Sequence, residues 1–248
     1  MERRTYLRAA GATGVAGIAG CLDNVGFIGG DGRTALGPPE EPRGDPSHPI
    51  HGDEFPSFSL PDPLSGETVS LEDMVGERAF LMTYFFTACP DGACPALLLR
   101  LRRAQEDAIE RGYEDDIALL AMTFDPERDT PEVLAEYAGE RGIDHEADNW
   151  HFLRPESYED GEQLLDDTFG MHIERVEDDD ELDDHGQEDH GTDHEDHDHG
   201  EYTFIHYNLI MLVNDDGIVE RSYPNAVQQR EEVSVEAIVE DARTVAQR

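Results

Sequence analysis

Apolar residues along this chain change period several times, and each change predicts an element. Residues 79–86 read AFLMTYFF, an almost unbroken apolar run that fits a strand buried on both faces of a sheet. Residues 117–124, IALLAMTF, repeat that signature, and residues 206–213, HYNLIMLV, give it a third time. Between the runs the spacing becomes helical. Leu97, Leu98, Leu101, Ala104 and Ala108 share one face of a helix predicted over 95–111, with Pro95 suited to the first turn and Gly112 to its end. Thr130 is the predicted N-cap and Pro131 the first residue of a helix over 131–141, with Val133, Leu134, Tyr137 and Ala138 turned inward. A last helix over 231–246 turns Val233, Val235, Ile238, Val239 and Ala242 inward.

Weaker patterns fill the gaps. Phe55, Phe58 and Leu60, then Val69 and Leu71 beyond Ser65-Gly66, predict a small hairpin. Trp150 to Leu153 suit a short strand, and 159–171 a short helix. Asn214-Asp215-Asp216-Gly217 predict a turn, with Ile218 to Tyr223 as its returning strand. Buried strands alternating with helices predict an α/β fold, a mixed central sheet flanked by helices. Thioredoxin-like domains share that layout, although element order alone does not select them.

Composition adds a habitat and removes one class of partner. Of 248 residues, 58 are acidic and 18 basic, giving a formal charge of -40, and every basic residue is Arg. Such a surface repels a phosphate backbone, so nucleic-acid binding is not expected. It also repels itself unless salt screens it. Acidic residues spread along the chain without any Lys predict a protein of saline surroundings, like those of haloarchaea.

The first 21 residues, MERRTYLRAAGATGVAGIAGC, have the form of an export signal: Arg3-Arg4, then a mild apolar run from Ala9 to Gly20. The Arg pair resembles a twin-arginine signal, and Ile18-Ala19-Gly20-Cys21 a lipobox whose Cys takes a lipid. The expected location is therefore the extracytoplasmic face of the cell membrane, with the lipid on Cys21 as anchor. Residues 22–50 are rich in Gly, Pro, Asp and Glu and are expected to be a flexible acidic linker. The folded domain is then 51–248.

With Cys21 assigned to processing, Cys89 and Cys94 remain, in the segment TACPDGACPAL. They fall between a buried strand and the first turn of a helix, where the helix N-terminus favours a thiolate. Thiolates serve both disulfide exchange and soft-metal binding. A static disulfide is the competing reading, but it would close a very short loop and constrain the unfolded chain little. Two sulfurs are few for a metal, and His206, at the start of an apolar run, is the candidate third ligand. His145, His151 and His172 read as surface or packing residues.

These segments, with TFDPERDTPEVLAEYA, NWHFLR and IHYNLIMLVNDDG, resemble the Sco/SenC family. The resemblance covers roughly residues 52–240, apart from an insert, and Asp125 to Pro131 is its most specific piece. It implies a thioredoxin-like fold, copper as the bound metal, and Cys89, Cys94 and His206 as ligands. It also implies assembly of the binuclear copper centre in subunit II of haem-copper oxidases, with thiol-disulfide reductase activity toward that site. Asp125 would organise its loop rather than bind the metal. The family usually places three residues between the cysteines; this chain has four, Pro90 to Ala93. Peroxiredoxins and plain thioredoxin-like reductases are neighbouring readings, but the two-residue gap and facing cis-Pro of the latter are not evident.

Residues 177–200, EDDDELDDHGQEDHGTDHEDHDHG, carry no apolar face and are expected to be a disordered insert. His185, His190, His194, His197 and His199 could give it weak metal capture. Three functions follow: a copper metallochaperone using Cys89, Cys94 and His206; a membrane-tethered thiol-disulfide oxidoreductase using Cys89 and Cys94 as its redox pair; and a metal buffer acting through the insert.

Overall fold

The computed structural model describes residues 32–39, 44–177, 202–228 and 231–248. The first hairpin is present: β1 (Ser59–Pro61) pairs antiparallel with β2 (Thr68–Ser70). A short α1 (Leu71–Met74) follows, opened by a reciprocal cap between Ser70 and Asp73. The two long apolar runs become β3 (Ala79–Phe85) and β4 (Ile117–Thr123), buried at every position and paired in parallel. They are joined by α2 (Ala93–Arg111), which Gly112 ends in the left-handed conformation. Next come α3 (Pro131–Glu140), capped by the Thr130 side chain, β5 (Trp150–Leu153) and α4 (Tyr158–Gln163).

The central sheet has the order β5-β4-β3-β8-β9, completed by β8 (Leu209–Val213) and β9 (Val219–Pro224). Strands β3, β4 and β5 run parallel; β8 and β9 are antiparallel to their neighbours. On one face Phe80 and Tyr84 meet Phe55, Phe58 and Phe169. Phe85, of opposite parity, meets Tyr137 of α3 and Phe152. Helix α2 packs on β3 and β4, and α5 (Val235–Ala246) packs on α2 and β3. The result is a mixed α/β fold with a central sheet flanked by helices, consistent with thioredoxin-like topology. Among the described residues, no helix is long and apolar enough to cross a membrane.

The structure departs from the sequence reading at several points. The last helix begins at Val235 rather than 231, because Ser234 caps it after a separate turn over Glu231–Val233. The predicted strand 206–213 begins only at Leu209, because pairing with β9 starts at Leu209 and pairing with β3 at Ile210. His206 therefore lies in the short connection before β8 rather than in the strand. That connection is fed by an unanticipated hairpin, β6 (Glu174–Glu177) with β7 (Tyr202–Ile205). The expected acidic insert lies outside the described residues, Glu177 excepted, as do the signal segment and Cys21.

Parts of the expected linker lie against the domain. The Ala35 and Leu36 amides donate to the carboxylate of Glu220 at 2.7 and 2.9 Å, and Asn214 Nδ2 donates to Arg33 O and Glu220 Oε1. Glu220 is fully buried, and a buried carboxylate is tolerated only with such donors. Farther along, Ser47 Oγ donates to Gly170 O at 2.6 Å.

Gly170 has φ +64, and a Cβ there would sit 2.1 Å from Ser47 O. Gly170→Ala is expected to lower unfolding free energy by about 1–3 kcal/mol through backbone strain and displaced contact. Denaturant unfolding measures this, and a change within about 0.5 kcal/mol would disprove the close approach of residues 47 and 170.

Candidate metal centre

Strand β3 ends at Phe85; Phe86 and Thr87 follow, and the chain then crosses Cys89 into the N-terminus of α2. Four residues separate the cysteines, and the loop accommodates them by placing Gly92 in the left-handed region at φ 75. Asp91 Oδ1 then accepts the Ala93 amide at 2.8 Å, doing the work of an N-terminal cap. Cys94 enters as the second residue of α2, with its sulfur buried and its amide donating to Cys89 Sγ at 3.4 Å. Both cysteines are free thiols.

His206 arrives from the other side. Its Nε2 lies 3.8 Å from Cys94 Sγ, and its Nδ1 lies 3.4 Å from the carbonyl of Tyr207. A carbonyl can only accept, so this contact favours the proton on Nδ1 and leaves the Nε2 lone pair facing the sulfurs. The imidazole packs against the rings of Phe86 and Phe124, themselves in contact, at centroid distances of 5.7 and 5.2 Å. Ligand atoms of Cys89, Cys94 and His206 all lie within 4.8 Å of one another. A metal about 2.0–2.3 Å from each donor fits that span.

The two thiols are driven apart in acidity. A hydrogen bond from Cys94 is the main reason the Cys89 thiol falls to about 6; burial and the Asp91 carboxylate oppose this, and His206 and the Cys94 amide assist. Burial is the main reason Cys94 rises well above the usual thiol range, with the neighbouring Cys89 adding to it. Half-buried Cys89 is thus the ready thiolate, and buried Cys94 holds its proton until a cation replaces it.

Residues that the sequence reading did not single out hold this arrangement. Tyr202 of β7 is stacked between the guanidinium groups of Arg128 and Arg175, at 3.8 and 3.5 Å from its ring centroid. Its hydroxyl donates to Asp125 Oδ1 at 2.9 Å, and Asp125 is also paired with Arg128. Asp125 is therefore occupied as a loop organiser, as expected, and is no part of the donor cluster. Phe204, two residues on, packs against Phe86 and Phe124. Beneath the cysteine loop, fully buried Asp129 accepts the Thr87 amide and the hydroxyls of Thr87 and Thr123, tying the ends of β3 and β4 together. The alternation of Tyr202 and Phe204, and the second Asp of DPERD, were the available signals. His151 is buried against Asp62 at 3.2 Å, and His172 is exposed.

The profile of the SCO1/SenC family matches residues 51–240. A SCO2-like protein of Rickettsia typhi is 42% identical over 81 residues, which are 29% of this chain and only 38% of that protein. A SCO1/SenC family lipoprotein from Bacillus anthracis superposes with a TM-score of 0.56 at 20% identity, covering 80% of this chain and 97% of the other. Arabidopsis thaliana ScoI, solved with copper bound, gives a TM-score of 0.50 at 19% identity over 79% of this chain and 99% of the other. At those identities the two structures speak for the fold.

The Asp129 carboxyl is pushed up to about 6, burial being the largest cause. A carboxyl raised in the folded state contributes stability below its unfolded value near 4, and that contribution is lost as pH rises through about 6. Between those limits the wild type is expected to lose up to about 3 kcal/mol relative to Asp129→Asn. Unfolding curves of both proteins at pH 4 and pH 7 test this, and parallel pH dependences would contradict it.

Proposed function

The chain belongs to the SCO1/SenC family, and on that premise we propose that it is a copper metallochaperone for the binuclear copper centre in subunit II of a haem-copper oxidase. One observation carries the reading: two sulfurs and one imidazole nitrogen converge within 4.8 Å at the surface end of the sheet. Thiolates with an imidazole suit copper, and carboxylates are not among the donors. Copper is the cargo here. It would be held by Cys89, Cys94 and His206 and released by ligand exchange. Half-buried Cys89 and His206 are the donors an incoming ligand reaches first, and buried Cys94 is the last to let go.

The unequal thiols also favour a second reading, a thiol-disulfide oxidoreductase. In that role the Cys89 thiolate attacks a partner disulfide and Cys94 resolves the mixed disulfide, leaving the partner reduced and Cys89–Cys94 oxidised. The two roles use the same sulfurs in different states.

The remaining parts of the proposal concern delivery. The lipobox-like Cys21 and the twin-arginine pattern support a lipid-anchored protein on the extracytoplasmic face. A family lipoprotein among the similar structures fits that reading. The five His of 177–200 support weak metal capture, on a stretch bracketed by β6 and β7, the strand that leads into His206.

Copper titration of the reduced protein in concentrated salt tests the assignment. His206→Ala is expected to weaken binding by at least about tenfold, since one of three donors is lost. Deleting residues 178–201 is expected to remove weak additional sites and leave the tight one. Unaltered affinity in His206→Ala, with disulfide reduction intact, would shift the assignment to the oxidoreductase.

A further inference from the structure

The surface around the donor cluster differs from the rest of the chain. Among the described residues, Tyr207 and Ile205 are the two most exposed large apolar side chains, at 66% and 53%. They flank His206 on both sides. The two ligand-bearing segments also lack the acidity found elsewhere. Of the exposed or half-exposed residues beside the donors, Pro90, Asp91 and Gly92 on the cysteine side carry one acid, and Ile205 to Asn208 on the histidine side carry none. The chain as a whole carries 58 acidic residues in 248. On the cysteine side the exposed loop presents Pro90, Asp91 and Gly92.

Exposed apolar groups that cluster on a heavily charged protein mark a contact site. Ligand exchange constrains what can fill it. A metal bridging two donors keeps them within about 5 Å, so an acceptor must bring its own ligands against Cys89 and His206. Any protein that does so covers the residues adjoining His206 in the chain. Elsewhere the acidic surface repels an acidic partner; between Ile205 and Asn208 no acid adds to that repulsion.

We propose that Ile205 and Tyr207 form an apolar docking rim for the copper-accepting partner, a protein whose metal ligands are set in an uncharged, apolar surface. The inference rests on the copper-transfer reading above. In the docked complex copper keeps its oxidation state, and each bond lost to Cys89, Cys94 or His206 is replaced by one to an acceptor ligand. Because apolar contact provides the docking, transfer should not slow as salt is raised, unlike association steered by opposite charges.

The experiment follows copper passing from the reduced, copper-loaded protein to the apo copper-accepting domain of an oxidase subunit II. Ile205→Ser/Tyr207→Ser is compared with Ile205→Leu/Tyr207→Phe. Both variants alter exposed side chains, and the contact from Tyr207 to the His206 ring uses the backbone carbonyl. The Ser pair is expected to keep copper affinity within about twofold by chelator competition, while transfer slows at least tenfold. The Leu/Phe pair should transfer at nearly the wild-type rate, and the wild-type rate should hold or rise with added salt. Undiminished transfer by the Ser pair overturns the rim. So does an effect confined to self-association, with wild-type dimers becoming monomers and transfer unchanged. If the wild type itself binds no copper, the transfer reading falls first and the rim falls with it.

Discussion

A single stack, the Tyr202 ring between the guanidinium groups of Arg128 and Arg175, fastens the β6–β7 hairpin to the end of the central sheet. His206 is brought to the cysteines by that hairpin and has no sheet ladder of its own. Its position depends on how firmly β7 is fixed four residues earlier. Cation–π contacts supply attraction with little demand on angle, while the hydrogen bond from the Tyr202 hydroxyl to Asp125 sets the register. Phe204 then continues the packing into Phe86 and Phe124, the two rings that hold the imidazole. Arg128 and Asp125 both belong to the loop after β4, so the same short loop organises itself and anchors the element that carries the third ligand.

Burial divides labour between the two sulfurs. The strand–loop–helix passage leaves Cys89 half exposed, near donors that favour its charge, and places Cys94 buried within the first turn of α2, where charge is costly. A dication or monocation brought to the pair would settle that imbalance by displacing the Cys94 proton, so metal occupancy and protonation are linked at one atom. The four-residue spacing between the cysteines survives because Gly92 adopts a conformation that side-chain-bearing residues rarely take. Asp91 then supplies the cap that the helix would otherwise lack.

Much of this was legible in the sequence, and the reasons are specific. Strands β3 and β4 are buried on both faces, so their apolar runs are continuous, and α2 and α3 carry punctuation at both ends in Pro95, Gly112, Thr130 and Gly142. Cys89 and Cys94 stand out because the folded part has no other Cys, and His206, among eleven His, because it precedes an apolar run. The β6–β7 hairpin escaped because its strands are four residues long, lie on either side of a long acidic stretch, and show only a faint alternation. For the same reason His206 was assigned to the strand that follows it. Asp129 was missed because nothing in a sequence distinguishes a buried acid from the exposed ones around it; only its three donors do.

The buried Glu220 that clasps Ala35 and Leu36 has a directional meaning. It sits with Asn214, just beyond Val213, which pairs with Phe80 at the start of β3, whereas the cysteines follow the end of β3. The incoming chain is thus fastened at the opposite pole of the sheet from the donors. Seven residues of β3 separate the poles by about 23 Å. With an anchor at Cys21, only ten residues would lie between the lipid-bearing residue and the first described one, a reach of at most about 40 Å. The clasped pole would then be leashed to the bilayer, and the donors would look outward, orienting the molecule as a mooring line orients a boat.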